Sequence, residues 1–238
     1  MATLAEAVAQ SLVPSACAIC TASLPWSASR AGVCGACWDA VERHAGPSCP
    51  VCGDPDVAES LPCLACGVAP PAFAAAASVG PYRGVLRDLV LLLKHGGRDE
   101  LARPLAQMLA DTFGARGWPR PRTVTFVPTT FWRRLRRGHD QAELLARQLG
   151  RALASPVIPT LRRRVRAAQV GRPRHERLQL SPAAFPARGT LSGLVLLVDD
   201  VFTTGATAHA CSRSLRRAGA QAVHVLTLAR TPRSGGFP

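Results

Sequence analysis

Residues 195–207 read VLLVDDVFTTGAT, a stretch that sets an apolar strand against a pair of carboxylates and a loop fit to cradle an anion. Leu194, Val195, Leu196, Leu197 and Val198 form a short continuous apolar run. That is the pattern of a strand in a parallel sheet covered on both faces by helices. Asp199 and Asp200 follow at its carboxyl end. Adjacent carboxylates repel one another and are costly to bury, so they are expected to face hydroxyls or a metal ion in a polar crevice. Gly205 permits close backbone approach and the hydroxyls of Thr203, Thr204 and Thr207 donate. A helix opening near Ala208 turns its amides and positive dipole end toward an anion. The plainer reading of these residues is an ordinary strand-to-helix turn with a hydrogen-bonded Asp pair, yet DD followed by TTGAT is more specific than a lone glycine-rich loop.

Working outward, the chain alternates strands and helices. Residues 75–79 read as a first strand, and residues 84–94 as a helix with an apolar stripe at Val85, Leu89, Leu92 and Leu93. A second helix follows, with Asp99 as its cap and Leu101, Leu105, Met108 and Leu109 at helical spacing. Lys94, at the end of the first helix, is either a surface charge or a group near substrate. Residues 123–127 form the next strand, and the segment after Pro128 carries Arg133, Arg134, Arg136 and Arg137, a basic loop suited to an anion. Asp140 with Glu143 resembles a capping box for a helix with Ala142, Leu145, Leu149 and Leu153 on one face. Residues 161–177 are basic and poorly periodic, with arginines including Arg174 and Arg177 around Gln169, Gly171 and Pro173, the composition of a mobile loop. A helix over 207–217, Gly219 as its C-cap and a strand over 222–228 follow, and residues 231–238 are expected to be a disordered tail.

Eight of the nine cysteines fall into four CxxC pairs: Cys17/Cys20, Cys34/Cys37, Cys49/Cys52 and Cys63/Cys66. Two residues between thiolates let a tight turn present both sulfurs to one ion, and two such turns complete the four-thiolate shell of zinc. Pairing in chain order gives one site from the first four cysteines and another from the last four, each structural. An interleaved cross-brace is the competing arrangement, and an iron–sulfur cluster or redox dithiols a further one. Cys211, the unpaired cysteine, falls inside the last helix as a core residue, and His44, His95, His209 and His224 read as surface or packing residues. Zinc binding can supply about 10–16 kcal/mol, enough to fold a segment with few large apolar side chains.

The 238 residues suit one catalytic domain with a small module ahead of it, and Pro70–Pro71 marks the boundary: cysteine module over 1–70, larger domain over 71–230. The formal charge of +14 is uneven: residues 1–80 hold two arginines against six acidic residues, and residues 81–238 hold 27 basic against nine acidic. Such an excess either tracks a phosphate backbone or forms a solvated face. Aromatic residues make up only 5% of the chain, so no stacking platform for bases is evident. No membrane span and no signal peptide are indicated, which places the chain in the cytoplasm, where reduced thiols favour metal ligation over disulfides.

The order strand, acidic pair, TTGAT and helix resembles the signature of type I phosphoribosyltransferases. The resemblance implies a site for phosphoribosyl diphosphate (PRPP), with Asp199 and Asp200 on the ribose hydroxyls and Val201, Thr203, Thr204, Gly205, Ala206 and Thr207 around the 5-phosphate. With the four CxxC pairs, LKHGGRDELA at 93–102 and VPTTFWRRLRRGHDQAELLAR at 127–147, the whole chain resembles the ComF family. Members join an N-terminal zinc ribbon to a type I phosphoribosyltransferase domain and are linked to DNA uptake. The resemblance implies a pyrophosphate loop including Arg133, Arg134 and Arg137, and a flexible loop including Gln169, Gly171, Arg174 and Arg177. It also implies magnesium with PRPP, two structural zinc ions and an unknown acceptor. Single-stranded DNA and DNA-uptake or helicase proteins are its implied partners. Two departures stand out: Gly138, His139, Asp140 and Gln141 replace the usual Gly-Phe-Asn-Gln, and Leu180 replaces an Asn. The alternative function is a non-catalytic single-stranded-DNA-binding protein built on the same scaffold.

Overall fold

The computed structural model describes residues 16–24, 31–55, 57, 61–95, 97–129, 140–164 and 182–232. Two five-residue helical turns, α1 (Gly35–Asp39) and α2 (Leu64–Val68), belong to the cysteine knuckles. Then come β1 (Ala75–Pro81), α3 (Gly84–His95), α4 (Ala102–Ala115), β2 (Thr123–Phe126), α5 (Gln141–Ala152), β3 (Leu194–Phe202), α6 (Ala206–Arg217) and β4 (Ala222–Arg230). The four strands form one parallel sheet in the order β1-β4-β3-β2. Helices cover both faces, as the apolar run of β3 requires.

Strand alternation sorts the core into two layers. Leu196 and Val198 of β3 face α3, α4 and α5 and pack with Leu86, Leu89, Leu105, Leu109, Leu145 and Leu149. Val195 and Leu197 face the other way and pack with Phe185, Ala208, Cys211 and Leu215. Each fully buried leucine contributes roughly 1.5–3 kcal/mol, so these two layers dominate the stability of the sheet. The cysteine module divides between them. Cys17, Leu24, Val33 and Cys37 join the first layer, and Cys49, Cys52, Cys63 and Cys66 join the second.

Several expectations shift. The buried stripe of α3 is Leu86, Leu89, Val90 and Leu93, while Val85 and Leu92 lie at its margin. The stripe is turned because α3 packs on both β1 and β4 and so buries a broader face. Asp99 opens a single 3-10 turn, Asp99–Leu101, and α4 begins beyond it after Leu101, with no side-chain cap. Both late strands run longer than the apolar runs suggest. β3 continues through Asp199, Asp200 and Val201 to Phe202 because β4 runs beside it as far as Arg230. Thr231 is held too, its N–H donating to the Phe202 carbonyl at 3.0 Å. The rest of the expected tail, residues 233–238, lies outside the described residues.

The outer side of β1 is not bare. The His44 N–H donates to the Val79 carbonyl at 2.8 Å. A Cβ at Gly80 would come within 2.0 Å of the Glu42 carbonyl oxygen, so the module's backbone lies directly against the strand. This covers the sheet edge that would otherwise offer unpaired backbone groups.

Candidate functional site

Gly205 is the N-cap of α6 with φ +78, a left-handed conformation that glycine adopts without the steric cost of a side chain. The chain thus leaves β3 at Phe202, turns through exposed Thr203 and Thr204, and enters α6 at Ala206, one to two residues earlier than the sequence suggests. The Ala206 N–H donates to the Thr204 hydroxyl at 3.4 Å, which shapes the turn, and the first amides of α6 open outward.

Asp199 and Asp200 lie within β3, so their side chains leave opposite faces of the sheet. Asp200 turns toward α3, where Lys94 Nζ lies 3.0 Å from its Oδ1. The last turn of that helix therefore delivers the chain's single lysine into the acidic pair, which makes Lys94 a site residue and not a surface charge. Asp199 turns toward α6 and accepts the Asp200 N–H at 2.9 Å. Desolvation, together with the charge of Asp200, pushes its carboxyl well above the usual carboxylate range. Both carboxylates border one cavity of about 320 Å³ at the carboxyl end of the sheet, with Lys94, Thr129, Asp140, Gln141, Arg163 and Thr207 around it.

Asp140 caps α5 as expected. Its carboxylate accepts the N–H groups of Thr129 at 2.8 Å and Ala142 at 3.2 Å, tying the start of α5 to the end of β2. Burial raises its carboxyl above the ordinary value while these amides oppose the rise. Glu143 does not complete a capping box: its carboxylate instead pairs with Arg147 at 2.7 Å. Gln141 is buried, and its Nε2 donates to the Lys94 carbonyl at 3.5 Å, so the departed motif braces the helix that carries Lys94. Arg163 lies over the Phe185 ring at 5.4 Å and reaches the same cavity. Arg133, Arg134 and Arg137, and Gln169, Gly171, Arg174 and Arg177, lie outside the described residues.

The eight paired cysteines form two clusters in chain order, so the interleaved arrangement does not occur. Within each, the four sulfurs lie within 4.8 Å of one another. Individual pairs are 3.8 Å (Cys17–Cys37), 3.7 Å (Cys20–Cys34) and 3.6 Å (Cys52–Cys63). A tetrahedron with arms of about 2.3 Å, the zinc–thiolate bond length, has edges of about 3.8 Å, so the donor sets fit that ion. Burial alone would push the Cys17 thiol up, but the N–H groups of Cys20, Cys34 and Ile19 bring it down to about 6. Cys49 is likewise driven up by burial and drawn down to about 7 by the amides of Cys52, Cys63 and Val51. Cys37 and Cys66 move up, by burial and by the neighbouring sulfurs. Four thiolates so close require a cation among them.

Cys211 is fully buried in α6, as expected. His224 packs its ring 4.6 Å from that of Trp118, and His209 Nδ1 accepts the Ala72 N–H at 3.2 Å, both structural roles. His95 borders the cavity that holds the two carboxylates. Among the described residues no helix is long and apolar enough to cross a membrane.

Residues 8–67 match the double zinc ribbon domain family. Among solved structures, the glutamine PRPP amidotransferase of Bacillus subtilis, complexed with ADP and GMP, is 25% identical with a TM-score of 0.39, the match covering 53% of this chain and 25% of that one. The competence protein ComFC of Bacillus subtilis is 29% identical over 84% of each chain. The DNA utilization protein YhgH of Salmonella typhi is 35% identical over 92% of this chain and 98% of its own. With its cysteine clusters, its parallel sheet and this full-length similarity, the chain belongs to the ComF family of DNA utilization and competence proteins.

Proposed function

We propose that the chain is a magnesium-dependent phosphoribosyltransferase that binds PRPP at the carboxyl end of β3, with zinc holding each cysteine cluster. The convergence of Asp199, Asp200, Lys94 and the start of α6 on one cavity of about 320 Å³ carries the reading. The 5-phosphate would accept from the amides that open α6, and the ribose hydroxyls would donate to the two carboxylates. Lys94 holds Asp200 in place through their 3.0 Å ion pair. Burial and the charge of Asp200 disfavour the charged form of Asp199; a bound divalent cation would favour it, the proton leaving to solvent before the reaction, and the carboxylate would then stabilise positive charge at the glycosidic carbon. Asp199 and Asp200 would hold magnesium, which would supply counter-charge for the departing pyrophosphate. By sequence position Arg133, Arg134 and Arg137 would receive the pyrophosphate, and the segment around Gln169, Gly171, Arg174 and Arg177 would exclude water. The relatives' names, DNA utilization protein and competence protein, support a role in DNA uptake or DNA metabolism; single-stranded DNA and DNA-uptake or helicase proteins as partners, and a cytoplasmic location, belong to this proposal.

Calorimetry with PRPP and magnesium tests the reading. The wild type binds, and Asp199→Asn/Asp200→Asn loses binding by about 100-fold or more while its melting stays cooperative, since two carboxylate contacts to hydroxyls are worth about 1.5–3 kcal/mol each. Unchanged affinity in the folded double variant overturns it. The basic excess of residues 81–238 supports the second reading, a DNA-binding protein without catalysis. Binding of a 5′-phosphorylated single strand without binding of PRPP would favour that one.

A further inference from the structure

The second cysteine cluster is joined to the phosphate loop by a line of buried contacts. Arg230, the last residue of β4, is 2% exposed. Its Nη1 donates to the Cys52 carbonyl at 2.6 Å, and its Nη2 lies 3.8 Å from the Cys52 sulfur and 3.7 Å from the Asp54 carboxylate. The same guanidinium sits 4.6 Å over the Phe202 ring. Phe202 in turn fills the space behind the loop: a Cβ on Gly205 would come within 2.8 Å of its Cζ. Cys52, Arg230, Phe202 and Gly205 thus run without a gap from the cysteine knuckle to the N-cap of α6. A cavity of about 310 Å³ beside this line is bounded by Cys52 and Cys66 on one side and by Thr204, Gly205 and Ala206 on the other.

We propose that Arg230 is a positioning residue that couples metal occupancy of the second cysteine cluster to phosphate binding at the loop opening α6. A buried guanidinium stays charged, and it is tolerated only where anions and carbonyls surround it. Its polar partners here, the Cys52 carbonyl and sulfur and the Asp54 carboxylate, all come from the knuckle. A four-thiolate zinc site, with net charge of about −2, adds the counter-charge. When the metal leaves, the knuckle loosens, and Arg230 loses the counter-charge of the filled site and the fixed position of its Cys52 and Asp54 partners. It then moves toward water and withdraws from Phe202, and the loop loses the support that holds its amides in place for an anion. The first cluster packs on the other layer of the core, and among the described residues no such line joins it to the loop. Coupling between two binding sites is reciprocal, so a ligand on the loop must also retain the second metal.

This inference rests on the reading of the loop as a phosphate site, and the experiment separates the two. Zinc release from the full-length, zinc-loaded chain to a chromophoric chelator is followed with and without PRPP. Two release phases are expected, and PRPP slows only one of them, about fivefold or more. In Arg230→Met that phase quickens about tenfold, no longer responds to PRPP, and PRPP affinity falls about tenfold. Arg230→Lys keeps a charge at the site and keeps part of both effects, which separates lost positioning from lost folding. A folded Arg230→Met with wild-type release and wild-type affinity overturns the coupling. If the wild type binds no PRPP, the phosphate reading fails, and Gly205→Ala decides the coupling: it must quicken one release phase only, and unchanged release overturns it.

Discussion

Cys17, Cys20, Cys34 and Cys37 sit on the layer formed by α3 and α4, with Cys20 exposed and Cys34 half-buried, whereas Cys49, Cys52, Cys63 and Cys66 are all buried on the opposite layer. Besides packing Cys17, Leu24, Val33 and Cys37 into the first layer, the first knuckle is met by a flexible side chain: Arg98 Nη2 donates to the Ala31 carbonyl at 3.3 Å and lies where a Cβ on Gly32 would be. The second is held backbone to backbone. Gly53 has φ +70, and a Cβ there would stand 2.4 Å from the Ala76 carbonyl oxygen of β1. Identical CxxC pairs therefore make one cluster that rests on the sheet and one that is part of it. Ligand spacing fixes the metal, and the surroundings fix what the metal is for.

The largest test of this contrast removes one cluster at a time. Cys49→Ser/Cys52→Ser and Cys17→Ser/Cys20→Ser should each lower zinc content from two per chain to one by elemental analysis. Only the former should abolish cooperative melting in calorimetry, because it also disorders the knuckle that holds the buried partners of Arg230, whereas among the described residues the first cluster has no such buried charge to support. Equal melting of the two variants would break the distinction. Next in size, Gly53→Ala should cost about 2–4 kcal/mol in denaturant titration, from a strained left-handed backbone plus a clash with rigid main chain. Gly35→Ala, whose Cβ meets nothing within 4 Å, should stay within about 1 kcal/mol of wild type or gain slightly as a helical alanine. Another small effect belongs to Arg98→Ala, which loses the hydrogen bond to the Ala31 carbonyl and the exposed ion pair with Glu100 and should cost about 1 kcal/mol while leaving zinc content at two.

Much of this was legible in the chain, where the chemistry is local. Four CxxC pairs, the apolar run before Asp199 and the glycine before α6 each declare their structure within a few residues. What the sequence hides is long-range. Lys94 reaches Asp200 only because α3 packs across β1 and β4 with its last turn at the carboxyl end of β3, and no periodicity around residue 94 reveals it. Arg230 looks like a charge at the edge of a tail, yet the pairing of β4 with β1 and β3 carries it under the knuckle. The overrun of β3 through two carboxylates escaped an apolar-run criterion because backbone pairing with β4, and not side-chain burial, extends the strand there. The choice between sequential and interleaved cysteine pairing was open for the same reason, since spacing alone permits both.

The strand order carries a consequence for how the chain acquires its structure. β1 is an edge strand whose sheet neighbour is β4, and Ser78 meets Thr227 across that pair at a separation of 149 residues. The sheet therefore cannot grow strand by strand as the polypeptide leaves the ribosome, and its centre closes only when the last strand slots in. Such distant pairings are slow to form. The cysteine turns close over much shorter spans, 20 residues from Cys17 to Cys37 and 17 from Cys49 to Cys66, and can take up metal during synthesis. Metallation comes first and sheet closure last, so the second knuckle waits as an anionic, half-made surface that only the arrival of β4 completes.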